Sequence, residues 1–278
     1  SSSASLTDTS PTLASTSEKT STATIDSGTY RLRITGSSDT NDIRLDVSSV
    51  TFESKGVVTL VLTATRSGVL VNALLLPQQG SVTRYDNTKA RVRAAIGVGA
   101  NTASTVRVSG TTLLSNAPNG AITSRYTNID SGNATFFVSI DGTALSVPSQ
   151  NLLAGGDYTL LLWSNAQGPT STVFADDNHA SSNGGKARVR LINGMSALGA
   201  PLSLSVDFAP IAEVINVGSA SSATDVDGGS GREFDVSNAV NGVLVLTRTD
   251  LTIQPGSVYT YFVAEGATGP VGTLRKDR

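Results

Sequence analysis

The sequence predicts an all-β chain of three tandem immunoglobulin-like antiparallel β-sandwich units, the first lacking its opening strand. Three observations carry this expectation. Segments alternate apolar and polar residues with period two, and no stretch holds a helical period over about ten residues. Turn dipeptides recur between them: Asn119-Gly120, Asp141-Gly142 and Asn241-Gly242. Short blocks also return at nearly constant spacing, marking repeats of about 90 residues, the size of one sandwich.

The repeats set the boundaries. KARVR occurs at 89–93 and again at 186–190, 97 positions later. IDSG occurs at 25–28 and 129–132, and FDVSN at 234–238 is taken as its counterpart in the last third. A small-residue turn leads into an apolar strand at 54–63 (SKGVVTLVLT), 154–163 (AGGDYTLLLW) and 254–263 (QPGSVYTYFV). Asp86-Asn87 and Asp177-Asn178 close two units. The expected domains are therefore 1–88, 89–185 and 186–278. The first reaches IDSG with no KARVR before it and is short at its front by roughly 15 to 20 residues. In that place stands a tail in which 15 of the first 24 residues are Ser or Thr. Its composition is that of a disordered segment, yet Leu6 and Leu13 are spaced through it, so it is expected to be held by something.

Alternation assigns faces. In KARVRAAI, Ala90, Val92, Ala94 and Ile96 enter the core, while Lys89, Arg91 and Arg93 face outward, where exposed cations discourage wrong edge pairing. PLSLSVDF places Leu202, Leu204, Val206 and Phe208 inside. TYRLRI places Tyr30, Leu32 and Ile34 inside and Arg31 and Arg33 outside. The longest apolar run, 69–76, is broken by Asn72 and reads as a strand, far short of the ~18 residues of a membrane span.

Composition excludes several functions. Charged residues make up only 15% of the chain, and 20 basic against 22 acidic residues leave a net charge of −2. There is no basic surplus for a nucleic acid or an anionic lipid surface. The absence of cysteine removes disulfides, thiolate metal sites and Cys nucleophiles together. The first residue is Ser and no signal peptide is present, so the chain reads as a processed or trimmed product.

An ARVRLIN opening strand, a central SLSVD strand, a DSGTY turn and a closing GGDYTLLLW strand resemble a bacterial envelope family, the domain-of-unknown-function family numbered 4397. The resemblance covers most of 89–278 and about 22–88 of the first unit. It implies tandem β-sandwich units, secretion or lipoprotein anchoring, and no established enzymatic activity; it carries over no catalytic residues.

Chemistry-bearing residues are few. The only histidine, His179, sits beside Asp176 and Asp177, but no Gly-x-Ser-x-Gly accompanies it, and 176–185 reads as a solvated linker. One histidine cannot make a zinc site. Asp225, Asp227 and Glu233 surround a Gly-rich turn and form a weak calcium candidate, set against an ordinary acidic hairpin loop. Gly97-Val98-Gly99 lacks the βαβ context of a phosphate loop. Trp163, the one tryptophan, suits a core or domain junction, and 5% aromatics argue against a carbohydrate cleft. The sequon Asn133-Ala134-Thr135 has no meaning in a bacterial source. No enzyme and no cofactor is expected.

Two functions remain. One is an extracellular structural protein, secreted or on the outer surface of a bacterium, that self-associates into a homopolymer by donor-strand complementation. An unfilled sandwich edge exposes unpaired backbone groups and an apolar groove that another strand can fill. Leu6, Leu13, Ile25, Leu32 and Ile34 are the expected interface. The other is a monomeric envelope lipoprotein or binding module, anchored upstream, that recognises a ligand through loops 97–104, 176–185 and 219–232.

Overall fold

β-Branched and apolar residues, at alternate positions in strands such as β6 and β17, build the longer elements. The computed structural model describes residues 22–36 and 39–278, and all of its named elements are strands. The chain divides into two compact units, residues 1–88 and 89–278. Leu6 and Leu13 lie outside the described residues.

In the first unit, β1 (Gly28–Gly36) and β2 (Asp39–Phe52) form an antiparallel hairpin. Strands β3 (Val58–Ala64), β4 (Val71–Pro77) and β5 (Thr83–Tyr85) form a second antiparallel sheet in that order. Leu45 and Val50 from β2 are buried, as are Ala73 and Leu75 from β4 and Val69 and Leu70 just before it. The buried Asn87 side chain ties the two sheets, donating to the carbonyls of Arg44 (2.6 Å) and Val71 (3.1 Å).

The second unit holds two sandwiches. The middle one comprises β6 (Lys89–Gly97), β7 (Ala103–Val108), β8 (Thr111–Pro118), β9 (Thr127–Asp130), β10 (Gly132–Ala134), β11 (Phe136–Ile140), β12 (Thr143–Leu145), β13 (Gln150–Leu152), β14 (Asp157–Asn165) and β15 (Gly168–Asp176). Its main sheets run β15-β14-β6-β9 and β12-β11-β7-β8. The C-terminal one comprises β16 (Lys186–Gly194), β17 (Leu202–Val206), β18 (Ala209–Ile215), β19 (Thr224–Asp227), β20 (Gly229–Asn238), β21 (Leu244–Ile253), β22 (Val258–Glu265) and β23 (Pro270–Lys276). Its sheets run β19-β16-β22-β23 and β18-β17-β20-β21. As alternation predicts, Ala90, Val92, Ala94 and Ile96 are buried, and so are Leu202, Leu204 and Val206.

Five expectations need correction. First, the sandwiches are not wholly antiparallel: β6 pairs parallel with β14, and β16 with β22. Strand pleat is the same in both arrangements, so alternation cannot tell them apart. Second, the counterpart of IDSG is Val226-Asp227-Gly228-Gly229. Strands β9 and β19 both flank an opening strand, with Asp130 against Lys89 (2.6 Å) and Asp227 against Lys186 (3.1 Å), whereas FDVSN lies in β20. Third, Phe208 is 81% exposed. The chain reverses at Asp207-Phe208, with φ of 48° and 67°, where the middle sandwich has Ser109-Gly110. A bulky side chain in the left-handed region costs about 1 kcal/mol. Fourth, a register shift follows Tyr30, and its exposed ring packs edge-on against Phe52 while its hydroxyl donates to the carbonyl of Asp26 (2.8 Å). Leu32 and Ile34 are half-buried. Fifth, Arg91 and Arg93 do not face solvent; they are buried, as is Arg190 of the second KARVR copy.

The fifth correction has a simple cause: the outer face of one sheet is covered by the other sandwich. Ala95, Ile122, Leu161, Ile192, Phe262 and Ala264 form an apolar cluster from both sandwiches. The ends of the two opening strands touch, so that a Cβ on Gly97 would lie 2.5 Å from the Gly194 carbonyl oxygen. Trp163 of the middle sandwich lies against Gly218 of the C-terminal one, which places it at the domain junction.

Candidate functional site

Beside that apolar cluster lies a buried ionic one. Arg93 donates from Nε to Thr159 Oγ1 (2.8 Å), from Nη2 to Thr260 Oγ1 (2.6 Å) and from Nη1 to Asp277 (2.5 Å). Arg190 donates to Thr260 Oγ1 (2.8 Å) and pairs with Asp176 (2.9 Å) and Asp277 (3.0 Å). The ion pairs are thus exchanged between sandwiches. Each threonine passes its own proton on, Thr159 to Asp176 (2.5 Å) and Thr260 to Asp277 (2.6 Å). Tyr126 accepts from Arg190 (3.0 Å) and donates to Asp176 (2.8 Å), with the Arg91 and Arg93 guanidiniums 4.7 and 4.6 Å from its ring centre.

Arg91 binds Asp157 through two hydrogen bonds (2.7 and 2.6 Å), and Asn178 donates to the same carboxylate (2.7 Å). Burial pushes the Asp157 carboxyl above its usual range, outweighing Arg91 and Asn178. Burial likewise holds the Tyr126 hydroxyl protonated, while Asp176, Tyr126 and Asp277 more than offset the burial that would lower Arg190. These charges are spent on one another inside a sealed junction, so the cluster's work is to fix two sandwiches together.

Arg91, Arg93 and Asp176 are named from the sequence without being brought together, and Tyr126, Asp157, Thr159, Arg190, Thr260 and Asp277 are passed over there. A signal existed: Thr159 and Thr260, like Asp176 and Asp277, stand 101 positions apart. Asp176 and Asn178 are buried, so the stretch 176–185 is not simply a solvated linker. His179 and Asp177 do pair (2.7 Å), on the surface, and Arg188 joins them (3.0 Å to Asp177). Burial would raise Asp177, but hydrogen bonds from His179 and Arg188 bring it down to about 2.

The calcium candidates are dispersed. Asp225 accepts from Ser181 (2.8 Å), Asp227 faces Lys186, and the Glu233 amide donates to Asp207 (2.9 Å). Among the described residues no three His, Cys, Asp or Glu side chains gather as metal ligands would. Loop 97–104 lines part of a shallow cavity of about 250 Å³ with Asn116, Asn119 and Ala267.

The first unit offers a different kind of site, defined by what its relatives within the chain possess. Lys55, Gly155 and Gly256 occupy the same positive-φ turn position (φ 58°, 72° and 72°), and the following amide closes the turn each time. That fixes Val57, Asp157 and Val258 as counterparts, and Gln78, Asp176 and Asp277 as their cross-strand neighbours. Strand β3 is therefore the counterpart of β14 and β22. Those two are each flanked by an opening strand; among the described residues β3 is paired only with β4. The described part of the first unit also holds no counterparts of β7 and β8.

Side chains register the gap. Leu62 is 44% exposed where Leu162 is fully buried, and Ile25 is 42% exposed where Ile129 and Val226 are at 5% and 6%. Val57 and Val61 are exposed too. In the middle sandwich β14 and β9, the counterparts of β3 and of the stretch around Ile25, stand on either side of β6.

Residues 96–201, from the end of β6 to the residue before β17, match the family model described as Domain of unknown function (DUF4397), the family that the strand motifs resemble. No curated protein matches the chain.

Proposed function

We propose that this chain is a non-enzymatic structural protein of the bacterial exterior whose copies join by strand complementation into a fibre or filament. The observation that carries this reading is strand β3, apolar in sequence, partly exposed and, among the described residues, paired along one edge only, while its two counterparts β14 and β22 each have an opening strand beside them. Each backbone hydrogen bond gained there is worth about 1 kcal/mol net, and covering Leu62, Val61 and Ile25 adds apolar burial at roughly 25 cal/mol per Å². A contact that joins unlike surfaces of successive copies propagates instead of closing. The rigid pair of sandwiches at 89–278 then serves as the body of each subunit. No helix among the described residues is long and apolar enough to cross a membrane.

Deleting residues 1–20 should abolish polymers seen by electron microscopy and light scattering while leaving 89–278 folded. Polymers that persist after the deletion exclude the tail as the joint. A monodisperse particle near 28.5 kDa from the full chain would favour a monomeric binding module instead.

A further inference from the structure

The two sandwiches of 89–278 meet through one sheet each, which leaves the other sheet of each at the far side. The apolar junction takes Ala95 and Leu161 from the β15-β14-β6-β9 sheet and Ile192 and Phe262 from the β19-β16-β22-β23 sheet. On their opposite faces those sheets pack against β12-β11-β7-β8 and β18-β17-β20-β21. The unit is therefore four sheets deep, and its two end faces belong to equivalent sheets of the repeat.

Register makes these end faces comparable residue by residue. Val106 pairs with Val138 as Leu204 pairs with Val236, and all four are buried. On the next rung of each ladder the side chains point outward. There Arg107 pairs with Phe137, and Ser205 pairs with Asp235. The same place thus carries a large cationic and aromatic pair on one end and a small acidic pair on the other. The Arg107 guanidinium lies 5.7 Å from the centre of the exposed Phe137 ring and enters no ion pair among the described residues.

The acidic end is hollow. Ser203, Ser205, Asp235 and Ser237 line a cavity of about 360 Å³. A bulge in β18 sets both Glu213 and Val214 opposite Ser203, and both exposed side chains join the cavity wall. Val240, Val243 and Leu244 are exposed beside Ala239 and Gly242 of the same wall and extend its apolar rim. Asp235 accepts from the Thr247 hydroxyl (2.6 Å), and neither it nor Glu213 enters an ion pair among the described residues. Arg248, the cation of β21, pairs in register with the buried Phe234 and so has the opposite parity to Asp235.

We propose that the outer face of the β12-β11-β7-β8 sheet of one copy docks on the outer face of the β18-β17-β20-β21 sheet of the next, with Phe137 entering the hollow beside Val214 and Leu244 and Arg107 pairing with Asp235 and Glu213. An aromatic ring beside an arginine is the composition enriched at the energetic centre of interfaces, and opposite charges fix the register. The two faces are unlike and lie at opposite ends of the stack, so the contact adds copies in a line instead of closing. It repeats between copies what the junction does within the chain, where equivalent sheets exchange the Arg93–Asp277 and Arg190–Asp176 pairs. It uses neither β3 nor any other part of the first unit, so it stands apart from strand complementation.

Charge exchange on the full chain, at outward-facing positions, tests the contact by sedimentation velocity and light scattering. Arg107→Asp alone sets like charges face to face, as does Asp235→Arg alone, and each should weaken association about tenfold or more. An equimolar mixture of the two variants should associate again, because each then supplies the face that the other lacks. Phe137→Ser should weaken association, and neither charge variant should rescue it. Single variants that associate like the unaltered chain, or a mixture no better than its components, would overturn the contact. Polymers that survive these changes and vanish on deletion of residues 1–20 leave strand complementation as the joint and exclude this one. An unaltered chain that stays monomeric at every concentration overturns both.

Discussion

Strands β3 and β14 share a sequence pattern and a preceding turn, and they have opposite fates. Leu160, Leu161 and Leu162 of β14 are fully buried; Leu60 of β3 is half-buried and Val61 and Leu62 are exposed. Neither hydrophobicity nor β propensity accounts for this, since Val58-Thr59-Leu60-Val61-Leu62 and Tyr158-Thr159-Leu160-Leu161-Leu162 are alike in both. The difference lies in neighbours: β14 has β6 along its edge and another sandwich over its outer face. A strand's burial is thus a property of the assembly around it, and β3 is a strand whose surroundings are incomplete among the described residues.

The comparison can be broken most forcefully at the charges. Arg93→Ala takes from buried Asp277 one of its two arginine partners, leaving Arg190, and should destabilise 89–278 by about 3 kcal/mol in denaturant unfolding. Gln78→Ala, at an exposed counterpart position in the first unit, should change stability by less than about 0.5 kcal/mol. If the two substitutions cost the same, the contrast between the surroundings of β14 and β3 is wrong.

Apolar truncation sharpens it next. Leu162→Ala removes a fully buried side chain and should cost about 2–5 kcal/mol. Leu62→Ala should cost well under about 1 kcal/mol in dissociated copies, yet weaken assembly, as read by the critical concentration for polymers.

Acid gives the smallest effect. Asp177, held near 2 as burial is outweighed by His179 and Arg188, and Asp46, lowered chiefly by its hydrogen bond with Arg31, each bind protons less readily folded than unfolded. Their stabilisation is present above the ordinary carboxyl range near pH 4 and is lost as pH falls toward 2. Asp157, raised by burial, works in the opposite sense: its contribution declines as pH rises through the window above about 4. Unfolding midpoints measured between pH 5 and pH 2 should fall on acidification, and Asp177→Asn should flatten that fall.

Much of the fold was legible because alternation names faces. It placed Ala90, Val92, Ala94 and Ile96 correctly in the core. It could not say what covers the other face, so Arg91 and Arg93 were assigned to solvent when a second sandwich lies over them. Period two also runs on through a turn, which is why Phe208 was drawn inside when the backbone had already reversed. FDVSN was matched to IDSG by resemblance of letters, while the structural equivalence follows the ladder beside the opening strand. The ionic cluster joins residues up to 184 positions apart, a proximity that no local pattern encodes. What the repeats did disclose is that KARVR, present before β14 and before β22, has no copy before β3.

The parallel pairing of β6 with β14 has a mechanical consequence. Arg91 and Asp176 both flank Asp157, so the backbone enters and leaves the middle sandwich at one end. In the C-terminal sandwich, Arg188 and Asp277 flank Val258 in the same way. Tension pulled through the chain does not cross the body of either sandwich; it loads β6 and β15, or β16 and β23, from the base upward. The Arg91–Asp157, Arg93–Asp277 and Arg190–Asp176 pairs sit at that base, like rivets at the foot of a seam. A thread made of such subunits would resist stretching where it is first loaded, with its hydrocarbon interior kept out of the line of force.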